Sequence, residues 1–271
     1  MLCRAAVYAT LTAGGMFFLL PFAWMLSTSL KPIEQIFVFP PVWLPRPVLW
    51  SNYVEAVTVI PFFRYLFNTL YISVISIIGY VLSSAVVAYG FSRIKWPGRD
   101  ILFVIMLGTM LLPSQVTMVP VFVIFKTLGW IGSFKPLTVP AFFGSPFSIF
   151  LLRQFFQTLP MELSDAARVD GCSELGIFTR VMIPLLKPAL ATVTLFIFIW
   201  TWTDFLNPLI YLSDQRMYTL SLGLQQFQTE HGVEWSSLMA ASTLVTLPII
   251  ALFFVAQKTF IQGIATTGLR G

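Results

Sequence analysis

Charge is what this chain has least of. Of its 271 residues only 10% are Asp, Glu, Lys or Arg, while 57% are hydrophobic. A soluble domain carries about 25% charged residues, and the mean hydropathy of +0.85 points away from one as well. Histidine occurs once, at His231, which excludes an HExxH site or any multi-histidine centre. The two cysteines, Cys3 and Cys172, form no disulfide framework and no metal motif. A Gly-x4-Gly-Lys-Ser/Thr phosphate loop is absent, so this chain does not hydrolyse ATP through one. The net charge of +5 comes without a dense basic run, which argues against nucleic acid as a partner. In a membrane protein such an excess instead collects in cytoplasmic loops.

What is present is apolar length. A spanning helix needs about 20 mostly apolar residues. Six windows qualify: Val7–Leu30, Tyr65–Phe91, Ile101–Phe125, Pro140–Phe156, Pro188–Leu212 and Leu238–Val255. None alternates as a barrel strand does, so the fold class is all-α integral membrane with six transmembrane helices. The first window has a basic residue ahead of it but exceeds a signal peptide's apolar core, and reads as an uncleaved helix. With the N-terminus inside, Arg4, Arg93, Lys95, Arg99, Arg153, Arg168, Arg180, Lys187, Lys258 and Arg270 fall on the cytoplasmic side. Lys31, Arg46, Arg64, Lys126, Lys135 and Arg216 fall outside, a bias of ten to six that favours both termini in the cytoplasm. The expected divisions are 1–64 (first helix and a proline-rich external loop), 65–257 (five-helix core) and 258–271 (cytoplasmic tail).

Polar residues within the apolar windows mark candidate pathway segments. Ser114, Gln115 and Thr117 lie between Pro113 and Pro120, which are expected to kink or break the third span. Irregular polar backbone at that depth is tolerated where it lines a cavity; a plain kink is the alternative. Asp204 is the acid inside a predicted span, with Asn207 beside it. An intramembrane acid marks a functional site by default, although near a span's end it can instead reach the interface or cap a helix. Gln228, Glu230 and Gly232 lie in a polar external turn.

The longest polar passage is Thr158–Pro188, TLPMELSDAARVDGCSELGIFTRVMIPLLKP, with four of the eleven acids and three of the sixteen basic residues. The topology places it in the cytoplasm. Pro160 suits a first helical turn, Gly171 a C-terminal stop, and Ser173 the cap of a second helix. Ala166 and Ala167 remove bulk from one side of the first helix, so that a partner's groove can close around it.

Asp165-Ala166-Ala167, three residues, Gly171, nine residues, then Val181-x-Ile183-Pro184 resembles the EAA signature of ABC importer permeases, E-A-A-x3-G-x9-I-x-L-P. Asp replaces Glu, Val replaces Ile and Ile replaces Leu; the spacing is unbroken. SLKP-x-EQIF, WTDFLNPLIYLSD and the TLSLGL…LMAAS ending are similar to the carbohydrate (maltose-type) branch. The resemblance implies a type I permease fold and a non-catalytic subunit of a sugar or oligosaccharide importer in a bacterial or archaeal plasma (inner) membrane. It implies a second permease as heterodimer partner, an ATPase dimer that binds the ATP and Mg, a soluble extracytoplasmic binding protein, and no cofactor on this chain. It also implies a coupling loop that docks on the ATPase, here Glu162, Asp165, Ala166, Ala167, Asp170, Gly171, Phe178 and Pro184, and alternating access as the mechanism. The region of Gln228, Glu230 and Gly232 corresponds to a loop that contacts the binding protein in maltose-type relatives. A polyol or glycerol phosphate is the alternative cargo. An ion-coupled secondary transporter would need midplane carboxylates beyond Asp204, and a membrane-embedded enzyme a nucleophile–base pair or metal cluster.

Overall fold

A computed structural model describes residues 2–229 and 232–268, with the side chains of 4, 6–228 and 232–257. The helices in chain order are α1 (Leu2–Thr28), α2 (Ser51–Thr58), α3 (Phe62–Arg93), α4 (Arg99–Thr109), α5 (Ser114–Thr127), α6 (Lys135–Thr138) and α7 (Pro146–Thr158). There follow α8 (Glu162–Val169), α9 (Glu174–Gly176), α10 (Ile183–Leu185), α11 (Lys187–Thr203), α12 (Leu206–Tyr211), α13 (Leu220–Gly223) and α14 (Trp235–Gly268). Two-residue strands β1 (Gln228–Thr229) and β2 (Gly232–Val233) pair antiparallel, Gln228 opposite Val233.

Four segments are long and apolar enough to cross a membrane on their own: Ala6–Thr28, Phe62–Arg93, Lys135–Thr158 and Trp235–Gln257. Two bent pairs bring the number to six if each is one span: α4 with α5, at 97°, and Glu174–Leu185 with α11, at 78°. The expected third span is therefore broken rather than continuous, while the second bend lies just ahead of the fifth window. Pro113 makes the first break, in extended backbone ahead of α5, whereas Pro120 lies inside α5 without ending it. The 78° bend lies between Pro184 and Pro188, each without the N–H that continues a helix. The fifth window itself breaks at Asp204, whose backbone leaves the helical region before α12. The last helix is longer than its window and runs on to Gly268.

Packing divides the chain into two units, Met1–Leu66 with Leu220–Ile250, and Phe67–Thr219 with Ala251–Gly271. In the first unit the turn after α1 is fixed through its carbonyls. Asn52 donates to the Ser29 and Lys31 carbonyl oxygens, each at 3.0 Å, and Ser236 donates to that of Lys31 at 3.0 Å. The Lys31 ammonium is buried 3.8 Å from the centre of the Trp24 ring, and burial pushes its pKa down. The most apolar stretch of α1 is buried nowhere within this chain.

The second unit holds the main core. Ala85, Ala88 and Tyr89 of α3 meet Ile149, Leu152 and Phe156 of α7, Ala189, Val193 and Ile197 of α11, and Ala167, Ile177 and Met182 from the polar passage. Small residues on α3 let its neighbours approach closely. A Cβ built on Gly79 would sit 2.8 Å from the Ala141 Cβ, whereas one on Gly90 would meet nothing within 4 Å. Gly79→Ala is therefore expected to destabilise by about 1–3 kcal/mol through overpacking. Gly90→Ala, in open space within a helix, is expected to stabilise by up to about 1 kcal/mol. Thermal unfolding of the two detergent-purified variants checks the opposite signs.

Candidate functional site: coupling loop and polar cavity

The polar passage folds as helix, glycine turn, helix. Pro160 lies ahead of the first helix rather than in its first turn, since Met161 is the N-cap of α8. Glu162 and Asp165 stand in the first turn and Arg168 in the last, as the helix dipole favours. Gly171 adopts φ +79°, a conformation costly for any residue with a Cβ. The Ser173 hydroxyl then accepts the Gly176 N–H at 3.2 Å and caps α9. A π-helix, Ile177–Met182, follows and leads into Pro184. Pro184 has no N–H to return to the Arg180 carbonyl, which favours the wider turn there.

The facing of this loop differs from the sequence expectation. Ala166 and Ala167 do not share a face: Ala167 is 8% exposed and joins the core, while Ala166 is exposed. Adjacent helical residues point about 100° apart, and Ser164 and Ala167, three apart, form the buried side. The outward face carries Glu162, Asp165, Ala166 and Val169, the last 87% exposed. Phe178 also turns inward, its ring 5.2 Å from that of Tyr89. Asp170, Gly171, Cys172, Ser173, Leu175 and Arg180 line a concavity of about 560 Å3 beside this face, and Pro184 is exposed.

The loop is tied to α3 and α7. Arg168 donates to Asp165 and to Glu174, each at 2.8 Å. Glu174 also accepts the Tyr89 hydroxyl at 2.7 Å. Arg93, 2% exposed, donates to the carbonyl oxygens of Leu159 at 2.7 Å, Pro160 at 3.1 Å and Phe156, and to the Met161 sulfur at 3.1 Å. Sequence reasoning missed Tyr89, Arg93 and Glu174 in this role. Tyr89 and Arg93 are distant from the loop in the chain, and four residues apart on a helix is the one signal they share.

The candidate pathway residues largely come together. Ser114, Gln115, Thr117 and Asn207 line one cavity of about 180 Å3, with Met118, Val121, Leu206 and Tyr211. Asp204 is not among its lining residues. Its carboxylate accepts the Asn207 backbone N–H at 3.2 Å and side-chain amide at 2.9 Å, across the α11–α12 break. It thus bonds into the first turn of α12, whose N-cap is Phe205, and holds Asn207 toward the cavity.

Gln228 and Gly232 lie in the β1–β2 hairpin, where Gly232 has φ +136°; Glu230 and His231 fall outside the described residues. In the same unit a cavity of about 410 Å3 is lined by Glu34, Glu55 and Glu234 with Asn52, Ser236 and Ser237. The Ser237 hydroxyl donates to Glu55 at 3.0 Å. These acids are scattered along the chain, so no sequence motif announces the cavity. Among the described residues no group of three or more His, Cys, Asp or Glu could hold a metal ion.

Residues 79–266 match the family described as binding-protein-dependent transport system inner membrane component. The chain belongs to that family. It is a multi-pass membrane permease of an ABC importer and a non-catalytic subunit, ATP being hydrolysed by a separate one. The chain is 36% identical over 210 residues to the arabinooligosaccharides transport system permease protein AraQ of Bacillus subtilis, covering 78% of this chain and 74% of that protein. It is 31% identical over 262 residues to the trehalose/maltose transport system permease protein MalG of Thermococcus litoralis, covering 93% and 92%. Its fold matches a chain of a bacterial ABC transporter involved in the import of the acidic polysaccharide alginate, with TM-score 0.84, 24% identity and 96% of both chains covered. Membership implies an ATPase, a substrate-binding protein and a second permease as partners.

If Asp204 acts by bonding Asn207, Asp204→Asn keeps an acceptor oxygen and is expected to change uptake less than about threefold, within the span of a modified bond at a helix start. Asp204→Ala releases Asn207 and is expected to cost more. Initial uptake rates at matched expression compare the two.

Proposed function

We propose that this chain is one half of a heterodimeric pathway for a neutral sugar or oligosaccharide, with both termini and the 158–188 loop in the cytoplasm. The loop docks α8 in a cleft of one subunit of an ATPase dimer that binds the ATP and Mg. Its closure turns the bundle between inward- and outward-facing states by rigid-body motion. The observation that carries this reading is the outward face of α8: Glu162, Asp165, Ala166 and the exposed Val169 point away from the core on a loop whose other side is locked into the bundle. An exposed apolar residue beside acids suits a protein groove better than an anionic inner leaflet, which repels the acids.

The sugar assignment is supported by the relatives named for arabinooligosaccharides and for trehalose/maltose. The cavity agrees with it. Ser114, Gln115, Thr117, Asn207 and Tyr211 present hydroxyls and amides, and no charged side chain is among its lining residues. Neutral hydroxyls are matched by such groups, whereas a phosphate would be desolvated there without a counter-charge, which disfavours glycerol phosphate. The unburied surface of α1 suits lipid or the second permease. The hairpin around Gln228 and Gly232 is the proposed contact for the binding protein.

Ala166→Trp adds bulk on the exposed face and leaves the core untouched. It is expected to abolish both uptake and co-purification of the ATPase while the subunit still inserts in the membrane. Normal uptake at normal expression would contradict the docking assignment. Ala167→Trp is a poorer test, because its ring would enter this chain's own core.

A further inference from the structure

We propose that α3 is the lever that carries the coupling loop's displacement across the bilayer, fastened at its inner end by Tyr89 and Arg93 and at its outer end by Asn68. This rests on the docking reading above and goes further, because docking alone does not say which helix receives the motion.

The first ground is stiffness. α3 runs 32 residues with no internal proline, whereas α1 and α14 contain Pro21 and Pro248. At 1.5 Å per residue it is about 48 Å long, more than the roughly 30 Å hydrocarbon core. A helix that exceeds the bilayer and lacks a proline kink delivers at one end what it receives at the other.

The second ground is the inner fastening. Tyr89 is 5% exposed, and its ring packs edge-on to Phe156 of α7 and Phe178 of the π-helix, at 5.7 and 5.2 Å. Its hydroxyl donates to Glu174, which Arg168 joins to α8. One helical turn on, the Arg93 guanidinium grips the carbonyls that end α7 and precede α8. Both attachments combine a buried donor with a charged partner or a helix C-terminus, the stronger class of hydrogen bond.

The third ground is the outer fastening. Asn68 is 6% exposed, and its amide donates to the backbone oxygens of Arg216 at 3.0 Å and Tyr218 at 2.9 Å. These belong to the short segment after α12 that leads toward α13. A shift of α3 is therefore imposed on that segment.

The test uses the assembled transporter, with its second permease, ATPase and binding protein, in right-side-out vesicles loaded with Mg-ATP and vanadate or with neither. Gln215→Cys, at an exposed position beside the Asn68 contact, is labelled from outside with a membrane-impermeant thiol reagent. The expected result is a labelling rate that changes with nucleotide in the Gln215→Cys parent, and a loss of that change on adding Tyr89→Phe or Asn68→Ala. Tyr89→Phe removes one hydroxyl and keeps the buried ring, and the ATPase is expected to co-purify with it as with the parent. A purely structural role would alter assembly and leave the nucleotide response intact. A full response in both variants with the ATPase retained, or a parent that does not respond, overturns the lever. Retention of the ATPase by Ala166→Trp overturns the docking reading itself, so the two failures are distinguishable.

Discussion

A buried guanidinium that bonds to carbonyls rather than to a carboxylate holds one end of the second unit together. Arg93 ends α3, and its donors reach Phe156, Leu159 and Pro160, where α7 gives out and the polar passage begins. A charge buried without a partner would cost several kcal/mol. The orphan carbonyls of a helix C-terminus would be costly too, and they carry the negative end of the dipole. Each therefore offsets much of the other's cost through the two terminal nitrogens of Arg93, while its Nε has no partner among the described residues. The consequence is mechanical: α3 and α7 cannot separate at this end without exposing both, and α8 begins where they are joined.

From that joint the loop's two sides follow. Ser164 and Ala167 close onto the core, and Glu162, Asp165, Ala166 and Val169 are left facing out. An eight-residue helix gains little from its own backbone cooperativity and depends on packing for its order. Here that packing is supplied by the bundle, and Asp165, Arg168 and Glu174 add a chain of ion pairs to Tyr89. A partner that pulls on the outer face therefore pulls on α3.

Much of this is legible in the sequence, for physical reasons. Twenty apolar residues have few destinations other than a bilayer, so the six windows follow from length and composition alone. Gly171 and Ser173 define the turn and cap because positive φ and an N-cap oxygen are local demands. What cannot be read there are relations set by distant neighbours. The phase of α8, which turns Ala167 in and leaves Ala166 out, depends on what lies beneath it. Pro113 and Pro120 look alike in the sequence, yet one stands at a 97° bend and the other inside α5. Asp204 has the look of a pathway acid, yet its carboxylate bonds to Asn207 across the α11–α12 break, while Asn207 reaches the cavity with Ser114, Gln115 and Thr117. The Tyr89–Glu174 bond spans 85 positions and leaves no periodic trace.

The central claim is that α8 and the inner half of α3 move as one body. Spin labels on Leu163→Cys of α8, outside the named docking face, and Val86→Cys of α3, both exposed positions, measure it directly in the assembled transporter. The distance between them is predicted to be the same without nucleotide and with ATP trapped. A distance that changes with nucleotide would show that the loop moves independently of α3 and would contradict the account.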